Sequence, residues 1–528
     1  MIMKNKMRFL LNIILLLLIS INLSSQEKIS SEMRAVWIAT VKNVDYPSNK
    51  NLSVEEQKKE FIDMLDVFSK IGINAVFFQV RPAADAFFQS DYEPWSEWLT
   101  GKQGKAPEPY YDPLKFMIKE AHKRNIQFHA WINPFRAVAT IEYADICENH
   151  ISKRKPEWIF TYDINKYFNP GIPEVRNYIT NIIIDIVKRY DIDGVHFDDY
   201  FYPYPKRNEF NRLIRIPDDE TFLAYNSGFN TIEDWRRNNM NLFIQQVNNG
   251  IKSVKPNMPF GVAPSGVWRN KSNDPNGSNT RALSHYDALY ADVLKWLKNG
   301  WIDYVVPQLY WTIGNTYADY NTLVNWWSEH TYGKHLYIGH AVYLAKADAS
   351  SESWKNPKEI PKQIRIARKN PNVQGAVFYK AKSLMENNLG IADSLKNNFY
   401  KMKVKVPEMP WLVINDTAIV ADYVENKTTG EINKNIPRNF SVLKLGNKLI
   451  ISWEISDIDV LQYNVYKSEC NTLYSTDNSK TFKTTKENYI VLNRKRINFF
   501  RKKYCFTVSS VSITGNESKK SEQISISL

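Results

Sequence analysis

Two adjacent carboxylates, Asp198 and Asp199, stand near the end of the segment Tyr190-Asp-Ile-Asp-Gly-Val-His-Phe-Asp-Asp-Tyr-Phe-Tyr-Pro203. Asp193-Gly194 reads as a turn that feeds a strand. Val195 and Phe197 then alternate with His196 and Asp198. Carboxylates at a strand's C-terminal end, among rings able to stack on a sugar, suit acid–base chemistry on a glycosidic bond. The structural alternative gives one aspartate to a cap and the other to an arginine. The segment alone does not separate the two.

Such a pair needs a scaffold whose strand ends converge. Eight apolar runs read as strands: Arg34–Val41, Ala75–Arg81, Gln127–Asn133, Val195–Tyr200, Pro259–Ser265, Tyr304–Tyr310, Leu336–Tyr343 and Gly375–Lys380. Helical patterns fall between them over Val54–Ile71, Pro113–Arg124, Pro173–Tyr190, Trp235–Val254, Tyr286–Leu297 and Ile360–Arg368. Pro113 and Pro173 sit where a helix accepts proline, in its first turn. This alternation predicts an α/β fold, a (β/α)₈ TIM barrel over residues 26–400. A doubly wound sheet would more often carry a glycine-rich phosphate loop after its first strand, and Val41-Lys-Asn-Val-Asp45 is not one.

In such a barrel the active site forms at the C-terminal strand ends. The candidates there for binding substrate are Gln79, Arg81, His129, Trp131, Asn133, His196, Tyr200, Trp268, Gln308, Tyr310 and Trp311. Nearly every strand end is polar or aromatic, which favours a polyhydroxylated ligand. Carboxylates are scarce. Strands five to eight end without one, and Asp45, Asp85 and Glu93 lie on loops. That scarcity assigns catalysis to Asp198 and Asp199 acting together. Both reach one site only if the strand breaks at Asp199, because successive strand residues face opposite sides.

Composition narrows the class. Fifteen tryptophans and thirty tyrosines exceed what a core requires and suit a carbohydrate cleft. The net charge is +13, and residues 437–528 hold 15 Lys and Arg against 8 Asp and Glu. A basic tail fits an anionic wall polymer, while no nucleic-acid-binding motif is present. The eight histidines form no metal-ligand spacing, so neither metal nor cofactor is expected. Lys4, Lys6 and Arg8 precede an apolar run from Phe9 to Ile21, then Ser24 and Ser25. Residues 1–25 therefore read as a cleaved signal peptide of an exported, soluble protein, with no later transmembrane segment and no lipoprotein cysteine. Of the three cysteines, Cys470 and Cys505 share the C-terminal region and could pair, leaving Cys147 free.

Residues 401–436 lack a period and read as a linker. Residues 437–528 turn all-β, with strand-like runs at Leu449–Trp453, Gln462–Lys467, Tyr489–Leu492 and Tyr504–Val511. Pro437, Trp453, Tyr463, Tyr466, Tyr504 and Gly515-Asn-Glu-Ser518 resemble a fibronectin type III sandwich.

A longer resemblance covers residues 33–385. Its stretches are Arg34-Ala-Val-Trp-Ile-Ala-Thr-Val41, Phe78-Gln-Val-Arg-Pro-Ala-Ala-Asp85, Glu93-Pro-Trp-Ser96 with Leu99-Thr-Gly101, and His129-Ala-Trp-Ile-Asn-Pro134. Tyr190–Pro203, Trp235-Arg-Arg237, Trp268-Arg-Asn270 and Pro307-Gln-Leu-Tyr-Trp311 continue it. These resemble the glycosyl hydrolase-like family 10, exported bacterial enzymes related to peptidoglycan glycan-strand hydrolases. Ala35 stands where that family often has glycine, and Tyr46 where it often has tryptophan. The resemblance implies a barrel and glycosidase chemistry on wall polysaccharide. Several barrel hexosaminidase families use adjacent acids for substrate-assisted catalysis, in which the sugar's 2-acetamido group attacks the anomeric carbon. Here Asp198 would orient that group and Asp199 would protonate the leaving oxygen. The competing readings are a carbohydrate-binding barrel without catalysis and a metal-dependent deacetylase.

Overall fold

The computed structural model describes residues 29–141, 145–226, 228–412 and, within 437–527, all but 446–447, 455–459, 470–480, 486–488, 494–502, 513–516 and 522. The expected signal peptide and residues 413–436 of the expected linker lie outside the described residues. Two compact units divide at about residue 420.

Eight parallel strands close a barrel: Met33–Ile38 (β1), Ala75–Arg81 (β2), Gln127–Ile132 (β3), Gly194–Phe197 (β4), Phe260–Val262 (β5), Tyr304–Val305 (β6), His335–Ala341 (β7) and Gly375–Tyr379 (β8). β8 pairs back onto β1 from Met33↔Gly375 to Val36↔Phe378. Each strand matches an apolar run of the sequence. β4 and β6 stop earlier than expected, at Phe197 and Val305, which frees the residues beyond them from the ladder.

The helices follow local signals. Val54–Ile71 (α1) starts at a capping box between Ser53 and Glu56 and stops at Gly72, whose φ of 98° suits glycine. It buries Phe61, Met64, Leu65 and Phe68, the stripe its spacing predicts. Pro113–His122 (α2) and Pro173–Arg189 (α3) open on their prolines. Ile232–Val254 (α4), Val293–Lys298 (α5), Tyr320–Glu329 (α6) and Glu359–Lys369 (α7) complete the outer ring. The helix expected over Tyr286–Leu297 is two pieces, because Asp292 caps a fresh start at α5. α6 was not anticipated, although Tyr320, Leu323, Val324 and Trp327 carry its buried stripe. Nor was the insertion between β3 and α3. There Arg136–Val138, Ile159–Tyr162 and Asn165–Phe168 form a three-stranded antiparallel sheet.

The barrel interior is filled by rings. Trp37, Phe77, His129, His196, Tyr304 and Tyr337 pack with centroids 4.4–6.1 Å apart. Two glycines make room. A Cβ on Gly194 would lie 2.3 Å from His129 Nδ1, and one on Gly261 would lie 2.3 Å from the Tyr304 ring. Gly194 is thus a strand residue cleared for a neighbour's imidazole, not part of a turn.

Residues 401–412, expected as free linker, are strapped to the barrel. Arg34 Nη1 donates to Met402 O at 2.7 Å, and Trp411 Nε1 donates to Asp303 Oδ1 at 3.0 Å. Met409 and Leu412 pack in the cluster that holds Met33, Tyr304 and Tyr337. Among the described residues no helix is long and apolar enough to cross a membrane.

The second unit forms two sheets. Arg438–Leu445 (β9), Lys448–Glu454 (β10) and Tyr489–Asn493 (β13) make one, in the order β9-β10-β13. Thr481–Thr485 (β12), Val460–Glu469 (β11), Lys503–Ser512 (β14) and Ile524–Ser527 (β15) make the other, in the order β12-β11-β14-β15. Ile451, Trp453 and Ile490 from the first share a core with Tyr463, Val465, Phe506 and Val508 from the second. Cys505 is disulfide-bonded and Cys147 is free, while Cys470 lies outside the described residues.

Candidate active site

Because β4 ends at Phe197, Asp198 and Asp199 are not bound to the alternating faces of a strand. Both sit at the barrel mouth, 6% and 7% exposed. Asn133 Nδ2 donates to Asp198 Oδ2 at 3.0 Å, and the Tyr200 N–H donates to Asp198 Oδ1 at 3.3 Å. The Tyr204 hydroxyl donates to Asp199 Oδ2, and the Gln308 side chain lies close enough to Asp199 to favour its charged form. Gln308 is itself anchored, its Nε2 donating to Ala263 O at 2.9 Å.

Burial raises the pKa of both carboxyls. For Asp198 the neighbouring Asp199 charge adds to burial and pushes it up to about 7. The positive charge of Arg136 opposes the rise at both. Two neighbouring buried carboxylates ionise one at a time, so the pair titrates as a unit. A single site then offers both a proton donor and a charged carboxylate.

Rings wall the mouth. Tyr310 stacks on Tyr379 with centroids 6.1 Å apart, and Tyr343 meets both edge-on at 5.9 and 5.4 Å. Tyr200 packs against Tyr204 at 5.4 Å and lies under the Arg136 guanidinium at 4.4 Å. Burial raises the Tyr200 phenol to about 12, so it stays a neutral donor. Trp311 is partly exposed beyond Tyr310. The Trp131 indole N–H is buried without a hydrogen-bond partner, yet close enough to Asp198 to favour its charged form.

The structure therefore brings together Asp198, Asp199, Trp131, Asn133, Tyr200, Gln308 and Tyr310 of the expected residues, while Trp311 packs beside Gly266 at the edge of the outer core. It places the others in the scaffold. Gln79 Oε1 accepts from the Thr40 and Val41 N–H groups, each at 3.0 Å, and pins the end of β1. Arg81 is fully buried. It is bidentate to Glu93 at 2.7 and 2.6 Å and donates to Asn133 O at 2.5 Å. His129 and His196 belong to the ring plug, sharing Tyr304 at 3.2 and 3.3 Å, and burial pushes His129 down to about 4. Trp268 stacks on Trp326 at 5.9 Å in the outer core. These five are committed to contacts within the protein, for a common reason. Strand alternation tells inward from outward, but not height along the barrel axis or whether a neighbour already uses the group.

The loop acids are likewise committed. Asp45 accepts from the Ala39 and Lys382 N–H groups, each at 2.9 Å, and burial pushes it up to about 6. Asp85 is buried beside Ser96 and Glu93 and pushed up to about 7. Glu93 is held by Arg81. Among the described residues no cluster of His, Cys, Asp and Glu could hold a metal ion. Tyr204 escaped the sequence reading, and Tyr343, Tyr379 and Arg136 were read at strand ends without being taken as substrate-binding candidates. Tyr204 had no signal beyond its place in Tyr202-Pro-Tyr-Pro205. Tyr343, Tyr379 and Arg136 followed strand ends but carried no distinguishing pattern.

Comparison with known proteins supplies the family. The profile described as Glycosyl hydrolase-like 10 matches residues 32–356. The chain is 41% identical over 534 residues to the Bacillus subtilis protein named glycosyl hydrolase YngK, covering 98% of each. It is 38% identical over 379 residues to the Escherichia coli protein named glycosyl hydrolase DigH, covering 68% of this chain and 84% of that one. Among solved structures, the PgaB (BpsB) glycoside hydrolase domain from Bordetella bronchiseptica aligns with 69% of this chain and 98% of that chain, at 11% identity and a TM-score of 0.44.

Proposed function

This chain belongs to the glycosyl hydrolase-like 10 family, and on that premise we propose that it is an exported glycosidase that cleaves N-acetylated cell-wall glycan, peptidoglycan strands, through Asp198 and Asp199. The observation that carries the reading is the buried pair itself, each carboxyl held by its own donors at a mouth lined with rings. The basic N-terminal start and the apolar run after it support export.

The chemistry proceeds in two steps. The acetamido oxygen of the bound sugar attacks the anomeric carbon while the bond to the leaving oxygen breaks. With the pair's proton on Asp199 in the substrate complex, Asp199 gives it to that oxygen, and Asp198, then ionised, accepts the acetamido N–H and stabilises the positive oxazolinium. Asp199, now charged, takes a proton from water as the water adds to the anomeric carbon, which restores the acetamido group. Adjacent acids suit this sequence because the second nucleophile comes from the substrate. A conventional pair would stand across the bond, roughly 5–9.5 Å apart. The C-terminal unit supports a spacer or wall-binding role, its three- and four-stranded sheets fitting a fibronectin type III-like module.

Mass analysis of products from purified peptidoglycan, with and without stem peptides, tests the proposal. Release of saccharide fragments that disappears in Asp199→Ala supports it. Intact strands after prolonged incubation with folded protein would refute it.

A further inference from the structure

A cavity of about 280 Å³ lies between α5 and α6 on the flank of the barrel. Lys295 and Lys298 reach it from α5, which leads into β6, and His330 and Tyr332 follow α6, which leads into β7. Helices of this barrel end where the next strands begin, so these residues stand away from the mouth that holds Asp198 and Asp199. Trp268 closes the inner wall. The walls combine flat rings with cations. Trp268, Trp326 and His330 stack in a row, with centroids 5.9 and 4.2 Å apart and planes inclined by 15° and 17°. His330 Nδ1 donates to Trp326 O at 2.6 Å, so Nε2 is the nitrogen left for a ligand. Tyr332 is 49% exposed and has a φ of 49°, a conformation that a tyrosine seldom adopts.

Lys295 and Lys298 are exposed, and no Asp or Glu lines the cavity. Asp292 feels the Lys295 charge, but it caps α5 by accepting the Lys295 N–H at 3.3 Å and is not part of the lining. An apolar partner would leave two ammonium groups unpaired. A bare inorganic anion would leave the rings unused. A sugar ring with an acidic substituent uses both, its C–H face lying on an aromatic ring and its anion meeting the lysines. The volume is close to the lower end of ligand sites, roughly 300 Å³. Resting on the wall-glycan reading above, we propose that this cavity is a second, non-catalytic site that holds anionic wall glycan. An enzyme held at one point on an insoluble mesh meets neighbouring bonds at a high effective concentration. The site therefore acts on insoluble strands and not on short soluble ones.

Purified insoluble peptidoglycan is the probe, sedimented with full-length protein that carries Asp199→Ala to prevent cleavage. Adding Tyr332→Ala, Lys295→Ala and Lys298→Ala together should weaken binding about fivefold or more, the sum of one ring contact and two exposed charge pairs. Tyr332→Phe alone, which keeps the ring, should bind as the parent does. Binding by the mouth or by the C-terminal unit is common to all these proteins and cancels. With Asp199 restored, the triple variant should keep its kcat/KM on short soluble oligosaccharides and lose it on insoluble peptidoglycan. Thermal melting verifies that each variant is folded. Undiminished sedimentation of the folded triple variant, or an equal loss of turnover on both substrates, would overturn the inference and leave the glycosidase reading standing. Absence of turnover by the wild type on either substrate would remove the glycosidase reading, while sedimentation still decides the site.

Discussion

Asn133, just past β3, reaches Asp198, just past β4: its Nδ2 donates to Asp198 Oδ2 at 3.0 Å while its Oδ1 accepts the Arg136 N–H at 3.1 Å. The second bond fixes the amide's orientation, because a backbone N–H must meet the oxygen. The residue that aims Asp198 thus also seats Arg136. Asn133→Ala should lower kcat about 10- to 100-fold, the value of a hydrogen bond to a charged group. Steady-state kinetics on a soluble glycan check this, and a change confined to KM would contradict a positioning role.

The two aspartates should separate by substrate. Asp199→Ala is expected to lose about 10²–10⁴-fold on natural glycan, the worth of a general acid. It should lose far less on an aryl glycoside whose leaving group needs no proton. Asp198→Asn should impair both. Equal losses for Asp199→Ala on the two substrates would move the acid to Asp198, since Glu93 is bound to Arg81. A glycosyl ester trapped on either residue would exclude the substrate-assisted route.

Tyr204 should set the alkaline limb of the pH profile. Its hydroxyl donates to Asp199 and favours the charged carboxylate, opposing the rise due to burial. In Tyr204→Phe the folded pKa of Asp199 rises further. An acid must be protonated to act, so the alkaline limb of kcat should move to higher pH while the acidic limb changes little. A limb that stays in place would show that Tyr204 does not control the proton.

Arg81 should prove a stability residue. Removing it strands Glu93, 5% exposed, as an unpaired buried charge, and breaking such a pair costs about 3–5 kcal/mol. Arg81→Met is expected to show that loss in calorimetric or denaturant unfolding, and Arg81→Met with Glu93→Leu should recover most of it. A raised KM at unchanged stability would return Arg81 to the substrate.

Trp311 should act through binding. The ring is partly exposed one residue beyond Tyr310, and a ring contact is worth about 0.5–1.5 kcal/mol. Trp311→Ala should therefore raise KM about two- to tenfold with little change in melting temperature. Collapse of the fold would place the ring in the core instead.

Local pattern determined the barrel and the location of its chemistry. Period-two apolar runs and 3.6-residue stripes are properties of neighbouring residues, so Ala75–Arg81 and Val54–Ile71 could be read to the residue. Asp198 and Asp199 became candidates only because the other strand ends lack carboxylates, since their own segment left a cap or an arginine partner open. Which polar strand ends serve the site was decided only in three dimensions. Gln79 meets Thr40 from 39 positions away, His196 meets Tyr304 from 108, and Asn133 meets Asp198 from 65. Each such bond either consumes a donor or aims it, and neither outcome is encoded by the residue's own neighbours. Arg136 shows this most clearly. An inserted sheet pairs it with Tyr167 and carries it back over Tyr200, so its role depends on a fold of the chain that no periodicity announces.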